Sequence, residues 1–181
     1  DPIETTWLHE LQRRKALKEY ELADHIYVAS PYARDSFLQQ GIAADKLRFR
    51  SLTVNPRFRG LEPNQKSDDS FHIVYTGRLD ITKGVPLLVR AFLRWNQPDA
   101  RLTLIGGSSS RGMNKFLRDH LVDSRIHQYY GDPVPSLLEA DVFTHPTYED
   151  GFGLAPLEAL AMRIPAIVTE DTGMKDYIEP G

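Results

Sequence analysis

Arg78 and Lys83 lie in the segment Gly77-Arg-Leu-Asp-Ile-Thr-Lys-Gly84, and some seventy residues later the chain reads Asp150-Gly-Phe-Gly-Leu-Ala-Pro-Leu-Glu158. Two cations, a glycine-rich turn at a helix start and two carboxylates eight positions apart are the groups that hold a diphosphate joined to sugars. Arg binds two phosphate oxygens as a fork, and Lys acts as a point charge. Placed between a strand end and the next helix, both face a crevice near the positive end of the helix dipole. Taken alone, they read equally well as two solvated loop cations. The second segment is more specific. Gly151 and Gly153 let the backbone approach a ligand, and a helix starting near Leu154 presents free N–H groups. Pro156 sits in its first turn, where a missing N–H costs nothing. Glu158 follows Leu154 by four residues and borders the face bearing Leu154, Leu157 and Ala161. A carboxylate there needs hydrogen-bond donors, and a ribose diol offers two. With ~1.5 Å of rise per residue plus the loop, Asp150 lies on the order of 10 Å from Glu158, so the two reach different parts of one elongated ligand. The plainer alternative is an ordinary helix N-terminus with an acidic first turn.

The elements that must position these groups are legible in the pattern. From residue 71 onward strands and helices alternate. Strands are expected at 71–76, 101–105, 126–130, 142–146 and 166–169, and helices at 85–95, 114–121, 135–140, 154–162 and 175–178. Continuous apolar strands alternating with helices predict a parallel, Rossmann-like α/β sheet covered on both faces. Ligands of such sheets sit at the carboxyl ends of the strands. Upstream, residues 7–23 (with Trp7, Leu8, Leu11, Leu17 and Leu22) predict an amphipathic helix, followed by a strand at 25–30 and a helix from Ser30-Pro31 to a stop at Gly41. Residues 46–54 alternate, with Leu47 and Phe49 on one side and Lys46, Arg48 and Arg50 on the other. Residues 55–70, rich in Pro, Asn, Asp and Ser, read as a linker. The expected organisation is residues 1–60 as the end of one domain with its connection, and residues 61–181 as a second domain, cut short at Glu179-Pro-Gly181.

Composition excludes several classes. The 181 residues carry a formal charge of −3, which argues against a nucleic-acid binder driven by bulk electrostatics. No apolar run approaches a membrane span, no signal peptide is visible, and with no cysteine there is neither a disulfide framework nor a thiolate zinc site. A cytoplasmic setting fits. None of the six histidines has His-x3-His or His-Glu-x2-His spacing, so no metal is expected. His145 reads as structural or as a pocket lining, and Asp132 and Asp141 as loop and cap residues. Gly106-Gly107-Ser-Ser-Ser110 lacks a phosphate-loop signature and reads as a mobile loop beside the site. Arg13, Arg14, Lys15 and Lys18, and separately Lys46, Arg48, Arg50, Arg57 and Arg59, form basic faces. They are either solvated or available to a membrane surface or an acidic partner.

The paired motifs resemble the retaining GT-B-fold glycosyltransferases of the large "group 1" family (glycosyltransferase family 4). Asp150 to Glu158 resembles its Glu-x7-Glu signature, and Gly77-Arg-Leu-Asp with Lys83-Gly84 its phosphate-binding turn. Val142-Phe-Thr-His-Pro146 and Leu157-Glu-Ala-Leu-Ala161 resemble the flanking strand and helix. Ala23–Ser30 and Val54-Asn55 resemble the last strand of the first domain and the interdomain connection.

The resemblance implies an enzyme that transfers a sugar, with retention, from a nucleotide diphosphate sugar (a UDP-, GDP- or ADP-sugar) to an acceptor hydroxyl, without a metal. It implies that Arg78 and Lys83 contact the diphosphate, Glu158 the ribose, and Asp150 the donor sugar. Backbone groups of Phe152, Gly153 and Leu154 would touch sugar and phosphate. The base would lie near Tyr130 to Val134, with Gly131 and Val134 supplying backbone contacts. The acceptor, a glycan or lipid-linked molecule of polysaccharide or glycoconjugate biosynthesis, belongs to the first domain, so the chain alone is expected to be inactive. Three departures stand out: Asp150 replaces a glutamate (with Glu149 adjacent), Arg163 replaces a glycine at the end of the signature helix, and the acceptor-site elements have no counterpart. A non-catalytic nucleotide or nucleotide-sugar binding module is the alternative reading.

Overall fold

A computed structural model describes residues 2–64, 66, 69–108 and 110–179, with side chains from residue 10 onward. The chain divides into two compact units, residues 1–51 and 52–181. In the first, helix α1 (Pro2–Leu22) precedes strand β1 (Ile26–Val28), helix α2 (Pro31–Gln39) and strand β2 (Leu47–Phe49), and β1 pairs with β2 in parallel. Ser30 caps α2 by accepting from the Ala33 N–H at 3.0 Å, with Pro31 at the first turn and Gly41 at φ +81° beyond its end. The expected apolar face of α1 is not buried: Leu11, Leu17 and Leu22 are all exposed, and the side chains of Trp7 and Leu8 lie outside the described residues. Its charges instead pair along the helix, Arg14 and Arg13 with Glu10, Lys15 with Glu19 and Lys18 with Glu21. Phe49, expected beside Leu47, is exposed because β2 ends there, one residue after Arg48. Lys46 turns back to donate to the Tyr20 and Glu21 carbonyls, satisfying orphan acceptors at the end of α1.

The second unit is a five-stranded, all-parallel sheet in the order β5-β4-β3-β6-β7, the expected α/β Rossmann-like architecture. Its strands are β3 (Phe71–Thr76), β4 (Ala100–Ile105), β5 (Ile126–Tyr129), β6 (Val142–His145) and β7 (Ala166–Val168). Its helices are α3 (Val85–Trp95), α4 (Arg111–His120), α5 (Val134–Leu138) and α6 (Leu154–Ala161). Alternation along each strand divides the core between two faces. Ile73, Tyr75, Leu102 and Leu104 pack with Val85, Val89 and Phe92 of α3 and Leu117 of α4. Val74, Ile105 and Phe143 pack on the other face with Leu137 of α5 and Ala159 of α6. Phe58, inside the stretch read as linker, is fully buried in that second cluster, so the beginning of the stretch is part of this unit. The buried His72 satisfies both ring nitrogens, against Thr103 Oγ1 at 2.8 Å and the Glu139 carbonyl at 3.2 Å.

Helix boundaries follow local chemistry. Gly84 (φ +68°) and Gly153 (φ +91°) stand immediately before α3 and α6, in a conformation that costs other residues free energy. Helix α4 starts at Arg111, three residues earlier than its apolar periodicity suggests, because Ser110 accepts from the Met113 N–H at 3.4 Å. The last expected helix is a 3-10 turn over Gly173–Tyr177, capped by Thr172. The sheet order runs outward in both directions from β3 and β6, which makes the crevice at their carboxyl ends the topological switch point.

Candidate functional site

Every expected contact residue lies at this carboxyl edge or on the elements around it. After β3 the chain turns at Gly77, whose N–H donates to the Ile105 carbonyl at 3.0 Å. The buried Tyr75 hydroxyl donates to the Arg78 carbonyl at 2.9 Å and holds the turn from below. Asp80 closes it: one carboxylate oxygen accepts from the Thr82 hydroxyl at 2.8 Å and the Lys83 N–H at 2.9 Å, and the other pairs with Arg78. Burial pushes the Asp80 carboxyl up, but hydrogen bonds from Thr82, Lys83 and Arg78 outweigh it and hold it below the usual carboxylate range. The Arg78 guanidinium is itself largely exposed and can swing over the crevice.

The second loop is laced to the first. The Tyr148 N–H donates to the Thr82 carbonyl at 2.9 Å, and the Thr147 hydroxyl donates to the same oxygen at 3.2 Å. Lys83 Nζ donates to the Glu149 carbonyl at 3.0 Å and to Asp150 Oδ2 at 2.9 Å. Asp150 Oδ2 also meets His145 Nε2 at 3.1 Å, and Oδ1 accepts from the Phe152 N–H at 3.2 Å. Burial pushes this carboxyl up, yet the donors from His145, Lys83 and Phe152 prevail and hold it well below the usual range, ionised at any physiological pH. A third segment braces the loop from outside. Asp150 N–H donates to Asp171 at 3.0 Å, Gly173 N–H donates back to Asp150 at 2.9 Å, and the Phe152 ring meets Tyr177 at 5.7 Å.

Two cavities open on this arrangement. One, of about 350 Å³, is lined by Lys83, His145, Asp150, Phe152, Gly153 and Leu154 together with the β3 end. The other, of about 600 Å³, lies under Arg78, Gly106, Gly107, Ser108, Tyr130 and Gly131. Thr76 and Gly77 line both, so they adjoin across the end of β3. The glycine-serine loop is beside the site as expected, with Ser109 outside the described residues. A cleft of about 280 Å³ between α3 and α4 holds one charged group, Arg90.

Glu158 and Val134 line neither of the two adjoining cavities. The Val134 N–H is engaged by the Asp132 carboxylate at 3.2 Å. Asp132 also pairs with Arg57 at 3.6 Å, and the Tyr129 hydroxyl ties the same loop to Asp132 and Ser136. Glu158 is half-buried; burial raises its carboxyl above the usual range, tempered by the Arg57 charge. Sequence reasoning missed Arg57 as a neighbour of Glu158 and Asp132, and missed His145 as a partner of Asp150. The signal available for His145 was its place at a strand end, five residues before Asp150. Among the described residues no group of three or more His, Asp or Glu side chains is assembled to hold a metal. No described helix is long and apolar enough to cross a membrane.

A parallel sheet with its crevice at the switch point, one cation-bearing loop laced to one acidic loop, and a helix N-terminus beside them define an α/β half-site, and comparison with known proteins gives its class. Residues 59–181 match the family described as glycosyl transferases group 1, and the chain belongs to that family. It is 34% identical over 137 residues to the D-inositol 3-phosphate glycosyltransferase of Paenarthrobacter aurescens (strain TC1), which covers 68% of this chain and 32% of that protein. Against the putative glycosyltransferase EpsD of Bacillus subtilis (strain 168) it is 28% identical, over 78% of this chain and 38% of the relative. The chain thus spans about a third of the length of the curated relatives it matches. Among solved structures, Anabaena Alr3699/HepE in complex with UDP-glucose superposes with a TM-score of 0.77 at 18% identity, covering 90% of this chain and 49% of that one. Sucrose-phosphate synthase from Thermosynechococcus elongatus gives 0.76 at 21% identity, over 93% and 47%. The fold is that of one half of a GT-B glycosyltransferase.

Proposed function

We propose that this chain holds the donor site of a retaining glycosyltransferase, which passes a sugar from a nucleotide diphosphate to an acceptor hydroxyl. Residues 61–181 form the donor domain in this reading, and residues 1–60 belong to the acceptor side and the connection. The observation that carries it is the joint grip of Lys83 and Asp150 in front of the α6 N-terminus, opening onto two adjoining cavities. Lys83 has three N–H bonds; two are spent on Glu149 and Asp150, and the third is left for a phosphate oxygen. Arg78, exposed on the opposite lip, exchanges Asp80 for a second oxygen. The free N–H groups at Gly153 and Leu154 complete a cradle for the anion. Donor sugar then lies in the smaller cavity beside Asp150, and the nucleoside in the larger one toward Gly131, with Glu158 turning to the ribose. As the sugar–phosphate bond breaks, charge gathers on the departing diphosphate. Lys83, Arg78 and the helix N-terminus are already in place to stabilise it. Acceptor recognition is assigned to the rest of the protein, and this chain alone is inactive in the proposal.

Calorimetric titration with UDP, GDP and ADP tests the reading, with Lys83→Ala as control. One nucleotide should bind saturably, and the variant should lose about 1 kcal/mol or more, the worth of a charge-assisted contact. Absence of binding by all three, or equal binding by the variant, would overturn it.

A further inference from the structure

We propose that His145 is a positioning residue for Asp150, fixing the direction in which that carboxylate meets a ligand hydroxyl; the proposal rests on the donor-sugar role given to Asp150 above. The carboxylate is held by three donors from three parts of the fold. Lys83 comes from the turn before α3, the Phe152 N–H from its own loop, and His145 from the end of β6. These donors differ in stiffness. Lys83 reaches Asp150 on a four-carbon stem, and its ammonium is also asked to meet phosphate. His145 is a rigid ring on a strand, with its side chain only 5% exposed. Locating an acid to a few tenths of an ångström takes a stiff, packed partner, and of the two side chains only His145 is one.

The hydrogen-bond inventory then specifies what remains for a ligand. A carboxylate offers about four acceptor positions, two on each oxygen. Both positions on Oδ2 are filled, by Lys83 and His145, and one on Oδ1 is filled by Phe152. One position on Oδ1 is left, which suits a single sugar hydroxyl. In a ring with a single proton, donation from Nε2 leaves Nδ1 bare, and Nδ1 is indeed buried without a hydrogen-bond partner among the described residues. A ring chosen only to fill space would not orient a lone polar edge onto the one carboxylate in the cavity and leave its other nitrogen unsatisfied. Aspartate is one methylene shorter than glutamate, so a fixed neighbour that aims it matters more here.

Two measurements test this. In the imidazole nitrogen spectrum of the whole chain, His145 should carry its proton on Nε2. Asp150→Asn should shift that signal and leave the other five histidines unmoved. The opposite tautomer overturns the proposal. The second measurement compares UDP with UDP-glucose by calorimetry (or the guanosine or adenosine pair, if the first titration selects that base). His145→Phe keeps the ring shape without the donor, and should leave UDP affinity within about twofold while weakening UDP-glucose by about fivefold or more. His145→Gln, which restores a donor near the Nε2 position, should recover most of the difference and shows that a loss in the Phe variant is not misfolding. Equal weakening of both ligands by the Phe variant, no rescue by Gln, or a wild type that gains nothing from the glucose overturns the positioning role. A wild type that binds neither ligand overturns the donor-site reading itself, while the nitrogen spectrum still reports whether the contact exists.

Discussion

Gly84 offers the sharpest test of how the two site loops are joined. Its φ is +68°, and a methyl group on its Cα would lie 1.7 Å from the Pro146 carbonyl oxygen and 2.7 Å from the carbonyl carbon. These are backbone atoms, so no rotamer change relieves the clash. Moving that oxygen out to 3.0 Å, the closest approach real Cβ atoms tolerate, takes about 1.3 Å of separation between the Lys83 turn and the Asp150 loop. The bonds across that seam measure 2.9 Å from Tyr148 to Thr82, 3.2 Å from Thr147 to Thr82, and 3.0 and 2.9 Å from Lys83 to Glu149 and Asp150. Stretched by that amount, all four would pass the limit of a hydrogen bond, although the flexible Lys83 stem can re-form one or both of its own. Losing two or three of them at about 1 kcal/mol each, plus about 1 kcal/mol for an L-residue in the left-handed region, puts Gly84→Ala at about 3–4 kcal/mol. Thermal denaturation followed by circular dichroism should show Tm lowered by about 10 °C, and the nucleotide titration should show binding abolished or weakened at least tenfold. A variant that melts within about 2 °C of the wild type and binds equally well would mean that the loops are not packed as described.

Three further outcomes follow from single residues. Arg163 stands just past the C-cap of α6 at φ +61°, and its exposed pair with Glu62 at 2.8 Å is worth little, so Arg163→Gly should raise Tm by about 2–4 °C in a melting scan. Glu158 is half-buried and raised by desolvation, so Glu158→Gln should hold or slightly raise Tm while weakening nucleotide binding about fivefold; a variant that binds normally removes Glu158 from the site. Burial pushes His72 down to about 4, with Arg101 adding to the effect. The unfolded imidazole takes up its proton near 6.5 and the folded one near 4, so protons favour the unfolded chain between those values and stability falls as pH drops. Urea denaturation should therefore lose about 2 kcal/mol between pH 7 and pH 5, and His72→Gln should flatten that slope.

Much of this fold is legible because its signals are local. The runs at residues 71–76 and 142–145 are rich in β-branched and aromatic residues and carry no charged Asp, Glu, Lys or Arg, as suits strands largely buried on both faces. Gly84 and Gly153 mark helix starts through a backbone conformation that penalises other residues. Where competing chemistry decides the outcome, the pattern misleads. Apolar spacing puts the start of α4 inside the helix, whereas one serine hydroxyl sets it at Arg111. The leucines of α1 look like a buried stripe, yet none of those described is covered. Phe58 stands among Pro, Asn and Arg in a stretch that reads as linker, although a single aromatic anchors it in the core.

The candidate site divides along the same line. Arg78, Lys83, Asp150 and Glu158 were visible as residue types at helix starts, since glycines and charges carry that signal within a few positions. What those side chains do to one another depends on β3 lying beside β6, a pairing across some seventy residues that no local pattern encodes. That adjacency brings Lys83 to Asp150 and leaves Asp150 the only carboxylate among the residues lining the smaller cavity. It also turns His145 from an unremarkable strand-end residue into a donor onto that carboxylate. Arg57 has the same origin: the sequence shows a basic residue near a proline, and only the packing of Phe58 against α6 brings its charge within reach of Glu158. The groups proposed to bind a ligand are therefore readable from composition and turns. The groups that aim them are supplied by the order of the sheet, and substitutions such as His145→Phe and Gly84→Ala probe that second layer without touching a single expected ligand contact.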